Sequence, residues 1–138
     1  MNHCIKMDLS AWNRADLFRE FTGMTTSIYA MTVRMDVTPL VQHCKKTGES
    51  FFINYLYLAL RELNAIPEFR MRVHHGEPYL YDRVDCSFTV ANDFGYFVNR
   101  SAEFSHYDEF YHNVPRRSPK RNPKRISIRK IPIFAGQI

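Results

Sequence analysis

The chain has 138 residues, of which 45% are apolar and 14% aromatic, with a formal net charge of +5. That length favours one domain, and that composition supports a packed core and excludes a wholly disordered chain. The charge is unevenly placed: residues 1–113 hold 11 basic and 14 acidic side chains, a net of −3, whereas residues 114–138 hold eight basic and no acidic ones.

Taken in chain order, Ser10 precedes Ala11-Trp12-Asn13-Arg14-Ala15-Asp16-Leu17-Phe18, so a hydroxyl stands where it can cap a first helix. Trp12, Phe18 and Phe21 are expected on that helix's buried side. Tyr29, Met31, Val33 and Met35 alternate with Ala30, Thr32, Arg34 and Asp36, the period of a strand with one buried face. Thr38-Pro39 suggests an N-cap and a first-turn proline, Lys45 and Lys46 suit a helix C-terminus, and Gly48 stops the helix.

Ser50 opens the strongest helix. Phe52, Tyr55, Leu56, Ala59, Leu60 and Leu63 recur every three or four residues, Pro67 ends the run, and the helix is expected to be buried on most sides. Met71 and Val73 lead into a turn at His75-Gly76-Glu77-Pro78, from which Tyr79 to Tyr81 returns as a hairpin. Asp85 to Ala91 forms another strand, Asn92-Asp93-Phe94-Gly95 a turn, Tyr96-Phe97-Val98 a further extended run, and Ser105 caps a short last helix with Tyr107, Phe110 and Tyr111. Beyond Val114, four prolines punctuate a segment of one charge sign. Such a segment is expected to stay disordered.

No run of about 18 apolar residues is present, so no transmembrane helix is expected. The opening Met1-Asn2-His3-Cys4-Ile5-Lys6 lacks the layout of a signal peptide, and a cytoplasmic protein is the expectation. Cys4, Cys44 and Cys86 show neither CxxC nor Cys/His ligand spacing, which argues against a disulfide framework or a metal site.

The specific signal is a set of strings in fixed order. Trp12-x-Arg14 opens a helix bearing Phe18 and Phe21. Thr32-Val33-Arg34-Met35-Asp36-Val37-Thr38 follows, then Phe51-Phe52, Tyr55-Leu56-Tyr57 and Asn64-Ala65-Ile66-Pro67-Glu68-Phe69-Arg70-Met71-Arg72. Gly76-Glu77, Tyr81-Asp82, Phe88-Thr89-Val90 and Tyr107-Asp108-Glu109-Phe110-Tyr111 complete the set. In that order and spacing, residues 8–111 resemble the chloramphenicol acetyltransferase family, the trimeric acetyl-CoA-dependent O-acetyltransferases. The resemblance implies an α/β fold, a two-layer mixed β-sheet with packed helices. It also implies acetyl-CoA as co-substrate, a chloramphenicol-like substrate, a homotrimer, and a role in antibiotic resistance.

By the same resemblance Phe21, Ser27, Tyr29 and Phe97 line the antibiotic pocket, and Arg14 holds the loop near the catalytic histidine. Ser27 replaces a cysteine frequent there. The family's general base lies in a His-His-x-x-x-Asp-Gly motif near its C-terminus, where it takes the proton of the attacking hydroxyl. This chain's pair, His74-His75, is followed by Gly76-Glu77-Pro78-Tyr79, so it lacks the aspartate and is expected to be two exposed turn residues. No catalytic residue is assigned.

The expectation is therefore a truncated acetyltransferase-like domain at 1–113 with a basic tail at 114–138, inactive alone for want of its base. The tail's abrupt, one-signed composition suggests a shifted reading frame. The alternative is a small non-enzymatic α/β domain whose tail contacts nucleic acid through its lysines and arginines, although no aromatic is interleaved among those charges to stack on bases.

Overall fold

The computed structural model describes residues 3–28, 30–91 and 96–115. In chain order the elements are β1 (Cys4–Lys6), α1 (Ala15–Thr22), α2 (Thr38–Thr47), α3 (Phe51–Ala65), a 3-10 turn (Pro67–Arg70), β2 (Met71–His74), β3 (Glu77–Tyr81), β4 (Cys86–Ala91), β5 (Phe97–Ala102) and α4 (Tyr107–Asn113). The expected α/β class holds. Every described strand pair is antiparallel: β1, β3 and β2 form one sheet in that order, and β4 and β5 form a second.

The signals around α3 act as their chemistry requires. Gly48 ends α2 with φ 75°, a left-handed conformation open to glycine at little cost. The Ser50 hydroxyl caps α3 by accepting from the Ile53 amide at 3.4 Å. Ile66, in extended conformation before Pro67, ends it. The hairpin between β2 and β3 turns on two residues, His75 at φ 52° and Gly76 at φ 75°, the paired positive φ values of a type I′ turn.

The core lies on one side of α3, where Ile53 and Leu60 meet Val84, Ala102, Phe110 and Val114. Tyr57 extends it through ring contacts with Phe104, Tyr107 and Phe110 at 5.1–5.8 Å between centroids. Asn64 fastens the β3–β4 connection: its side chain accepts from the Val84 amide and donates to the Val84 carbonyl at 2.7 and 3.0 Å.

Several expectations are corrected. The alternating residues before Asp36 form no strand. Met31, Val33 and Met35 are 79%, 63% and 71% exposed, because no neighbouring strand among the described residues supplies the ladder that a period of two requires. Ser10 caps no helix; its hydroxyl and amide bond Asp8, and α1 begins at Ala15. Trp12 and Phe18 do meet, at 5.9 Å, but Phe21 is half exposed.

Thr38 is already helical, with its amide held by Asp36 at 2.9 Å. Ser105 lies one residue before the α4 cap position, which His106 occupies without a side-chain bond. Helix α3 is buried on one side only, with Phe52, Tyr55 and Leu63 exposed. Val114, first residue of the expected tail, is 2% exposed and belongs to the core. The expected turn at 92–95 and the tail from Arg116 onward lie outside the described residues.

Phe110 is fully buried, so truncating it leaves a void against Ile53 and Tyr57. Phe110→Ala is expected to lower the unfolding free energy by about 3–5 kcal/mol. Tyr55→Ala, on the exposed side of α3, is expected to stay within about 0.5 kcal/mol. Urea unfolding followed by far-UV circular dichroism compares the two.

Candidate functional site

The residues expected to line a pocket are carried by separate elements. Phe21 sits on the last turn of α1, and Ser27 lies exposed in the segment after it. Phe97 opens β5 at 76% exposure. No hydrogen bond or ring contact joins these three among the described residues, and Tyr29 lies outside them. Arg14 occupies the N-cap position of α1, where its guanidinium pairs with Glu68 of the 3-10 turn at 3.6 Å, both side chains exposed. At that exposure the pair contributes little stability.

A cleft of about 360 Å³ lies elsewhere, between β5 and α4. Arg83, Ser101, Glu103, Ser105, Glu109 and Asn113 are among its lining residues. Arg83 already pairs with Glu103 at 2.8 Å and with Asp85 at 3.4 Å. Ala102 adds a small apolar part to a wall that is otherwise polar, unlike the largely apolar lining usual for a drug-sized ligand.

No histidine of this chain is expected to act as a base, and His74 and His75 are expected to be exposed turn residues. His75 is an exposed turn residue as anticipated, whereas His74 is not. It is the last residue of β2, half-buried, with Nε2 2.8 Å from the Tyr81 hydroxyl and its ring against Tyr79. The strand pairing puts His74, Tyr79 and Tyr81 on one sheet face, since His74 lies opposite Glu77 and side chains alternate from there.

The most connected polar cluster was missed by sequence reasoning. Glu49, in the short link between α2 and α3, receives His43 Nε2 at 3.1 Å and Asn54 Nδ2 at 3.3 Å. Asn54 is buried, donates also to the Ser50 carbonyl, and accepts from the Tyr107 hydroxyl at 2.9 Å. The Tyr111 hydroxyl accepts from the Ser50 amide at 2.8 Å. One carboxylate thus ties together α2, α3 and, through Asn54, α4. Desolvation works to raise the Glu49 pKa, but hydrogen bonds from His43 and Asn54 outweigh it and hold the carboxyl below the ordinary glutamate value. The Tyr107 phenol is pushed up, first by burial and then by the Glu49 charge.

A histidine oriented by a carboxylate is half of a general-base device. His43 and Glu49 meet that description, but no described cleft opens beside them to seat a substrate. The pair was invisible in sequence because the two residues are six apart, across the Gly48 reversal.

Against known proteins, the family model described as chloramphenicol acetyltransferase matches residues 1–119. Among curated relatives, a chloramphenicol acetyltransferase of Klebsiella sp is 32% identical over 87 residues, covering 63% of this chain and 40% of that protein. One of Proteus mirabilis is 28% identical over 106 residues, covering 77% of this chain and 46% of that protein. A solved chloramphenicol acetyltransferase superposes with a TM-score of 0.66 at 28% identity, over 80% of this chain and 55% of its own. The chain therefore spans less than half the length of these curated relatives.

The Glu49 cluster carries a pH signature. A carboxyl depressed on folding contributes stability that is present above its unfolded pKa, near 4.3, and lost as the pH falls through its folded value. Wild type is therefore expected to lose stability as the pH drops below about 5, with Glu49→Gln losing less over the same range. Urea midpoints at pH 7, 5 and 4 measure this; parallel acid limbs for the two proteins would remove Glu49 from the explanation.

Proposed function

The chain belongs to the chloramphenicol acetyltransferase family, and from that premise we propose that it carries the pocket-bearing, N-terminal portion of a chloramphenicol O-acetyltransferase subunit. We further propose that these 138 residues by themselves transfer no acetyl group. The observation that carries the first part is the ordered set of family strings, which lie within the matched residues 1–119. The second part rests on the histidines: none of the six is followed at the fourth residue by an aspartate.

The reaction of the family reading moves an acetyl group from the thioester of acetyl-CoA to a hydroxyl of chloramphenicol. The hydroxyl oxygen attacks the thioester carbonyl, its proton passes to a base, and CoA leaves as the thiol. In this reading Phe21, Ser27, Tyr29 and Phe97 supply pocket wall, Arg14 is a positioning residue for the base-bearing loop, and subunits assemble as a trimer. The assignment of Arg14 rests on its match to the Trp12-x-Arg14 string; in this structure its exposed guanidinium lies 3.6 Å from Glu68. A cytoplasmic site of action accords with the fact that no described helix is long and apolar enough to cross a membrane.

The basic segment from Arg116 onward is read as the product of a shifted frame, since the family match stops at residue 119, just past the charge break. The nucleotide sequence beyond the codon for Val114, translated in the other two frames, is expected to show a His-His-x-x-x-Asp-Gly string.

The function is tested by a chimera joining residues 1–114 to the part of the Klebsiella relative that follows its matched region. The chimera is expected to release free CoA thiol from acetyl-CoA in the presence of chloramphenicol, and the 138-residue chain is not. Arg14→Ala in the chimera is expected to lower kcat by up to about a hundredfold with little change in KM, as loss of alignment does. A folded chimera without turnover would overturn the reading, and turnover by the 138 residues alone would overturn their inactivity.

A further inference from the structure

The sheet of β1, β3 and β2 carries a constellation outside the residues assigned to the pocket. Cys4 lies directly opposite Tyr81 in the strand register, so the two side chains share a face. His74, at the end of β2, belongs to that face as well. The Tyr81 hydroxyl stands 2.8 Å from His74 Nε2 and in hydrogen-bonding contact with the Cys4 thiol. One phenol thus bridges a thiol and an imidazole.

A phenol donates one hydrogen bond and can accept another. Where Tyr81 donates to His74 Nε2, the Cys4 S–H donates to the Tyr81 oxygen. Moving both protons one place along leaves a Cys4 thiolate, a Tyr81 hydroxyl now donating to sulfur, and a His74 imidazolium. Tyr81 is suited to pass the proton on rather than hold the charge itself: desolvation, and after it the Cys4 sulfur, keep its phenol above the ordinary value. The Arg72 guanidinium acts on Tyr81 in the opposite sense. Arg72 lies on the same face, opposite Tyr79, and its fixed positive charge favours an anion at the nearby sulfur.

The other two cysteines stand in different surroundings. Cys44 is buried in α2. Cys86 Sγ donates to the Ala102 carbonyl at 3.6 Å, and burial pushes its thiol up. Cys4 is only half-buried, so a small reagent can reach it. A reachable thiol beside a proton acceptor and a cation is the setting in which cysteines act as nucleophiles.

We propose that Cys4 is a nucleophilic thiol, activated by His74 through the Tyr81 hydroxyl, and that it captures small disulfides as a mixed disulfide. The Cys4 sulfur forms a bond to one sulfur of the disulfide, and the disulfide's own S–S bond breaks. Cys4 is thereby oxidised and the departing half is reduced, leaving as a thiolate. The Cys4 proton passes through Tyr81 to His74, where it stays until the departing thiolate or water takes it. The site is independent of the acetyltransferase reading, since none of its three residues is assigned a part there.

The probe is dithiobis(nitrobenzoic acid), offered to the full 138-residue chain at pH 7. Absorbance follows the released thiolate, and peptide mass identifies the modified cysteine. Cys4 is expected to react first, and about tenfold faster in the folded chain than in the same chain unfolded in urea. Shielding by the fold would slow it instead. His74→Gln keeps a hydrogen bond to Tyr81 but takes no proton, and Tyr81→Phe removes the bridge; each is expected to slow Cys4 by about tenfold. Tyr79→Phe, which keeps the ring that stands against His74, is expected to leave the rate unchanged. Far-UV circular dichroism checks that the variants keep the wild-type fold. A folded-chain rate at or below the unfolded rate overturns the proposal, and that comparison needs no variant. So does a Cys4 rate indifferent to both His74→Gln and Tyr81→Phe, or a first reaction at Cys44 or Cys86.

Discussion

Helix α3 carries the core of the described body. On one side Ile53 and Leu60 close the core with Phe110 and Val114, and most of the described body is arranged around that contact. Ser50 fixes where the helix starts, Asn64 fastens the β3–β4 connection to its last turn, and α4 returns to lay Phe110 against it. On the other side an apolar stripe of Tyr55, Leu63 and Ile66 faces outward. Burying a large apolar side chain stabilises by about 1.5–3 kcal/mol, so one open stripe is a sizeable fraction of the 5–15 kcal/mol that holds a domain together. The exposed residues of α1 and the segment after it, Leu17, Phe21, Met31, Val33 and Met35, belong to the same deficit. Singly exposed apolar residues are ordinary, but runs of them mark a surface built to be covered.

The polar cluster around Glu49 works with the core rather than against it. Asn54 is buried beside Ile53, and an unpaired amide there would be costly. Its donors reach Glu49 and the Ser50 carbonyl, and its oxygen receives Tyr107. That arrangement fixes α4 in rotation, because Tyr107 and Tyr111 bond at the α3 N-terminus while Phe110 enters the core. A carboxylate-bound histidine in such a place is a structural tie. Comparing His43 with His74 makes the point twice, since each has a close oxygen partner and neither lines the described cleft.

What could be read from the sequence divides by range. Gly48, Ser50, Pro67 and the His75-Gly76 turn act within a few residues of themselves, and each does what its local chemistry dictates. The alternation of Met31, Val33 and Met35 does not make a strand, because alternation describes a strand's faces and not its neighbour. Within α3 the periodicity was real, but it could not choose between two apolar sides, and Phe52 was favoured over Ile53. The Glu49–His43 and Asn54–Tyr107 contacts were out of reach, since they join positions across a loop or more than fifty residues apart. For the site, the ordered strings reached the family. The pocket residues they implied, Phe21, Ser27 and Phe97, stand on α1, the segment after it and β5, and what they line there is a matter for the proposed reading.

The open face and the absent base have a common origin under the proposed reading. Val114 is buried against the same core that anchors α3, and the charge pattern changes within two residues of it. The charge break therefore does not coincide with the edge of the core, since Val114 lies inside it. It falls directly after Val114, which packs in the cluster of Ile53, Leu60 and Phe110. By resemblance, the histidine motif lies in the C-terminal part of the family fold. Under the proposed reading, the base and any further packing partners of α3 both belong to the part of the family fold that this chain's match does not reach.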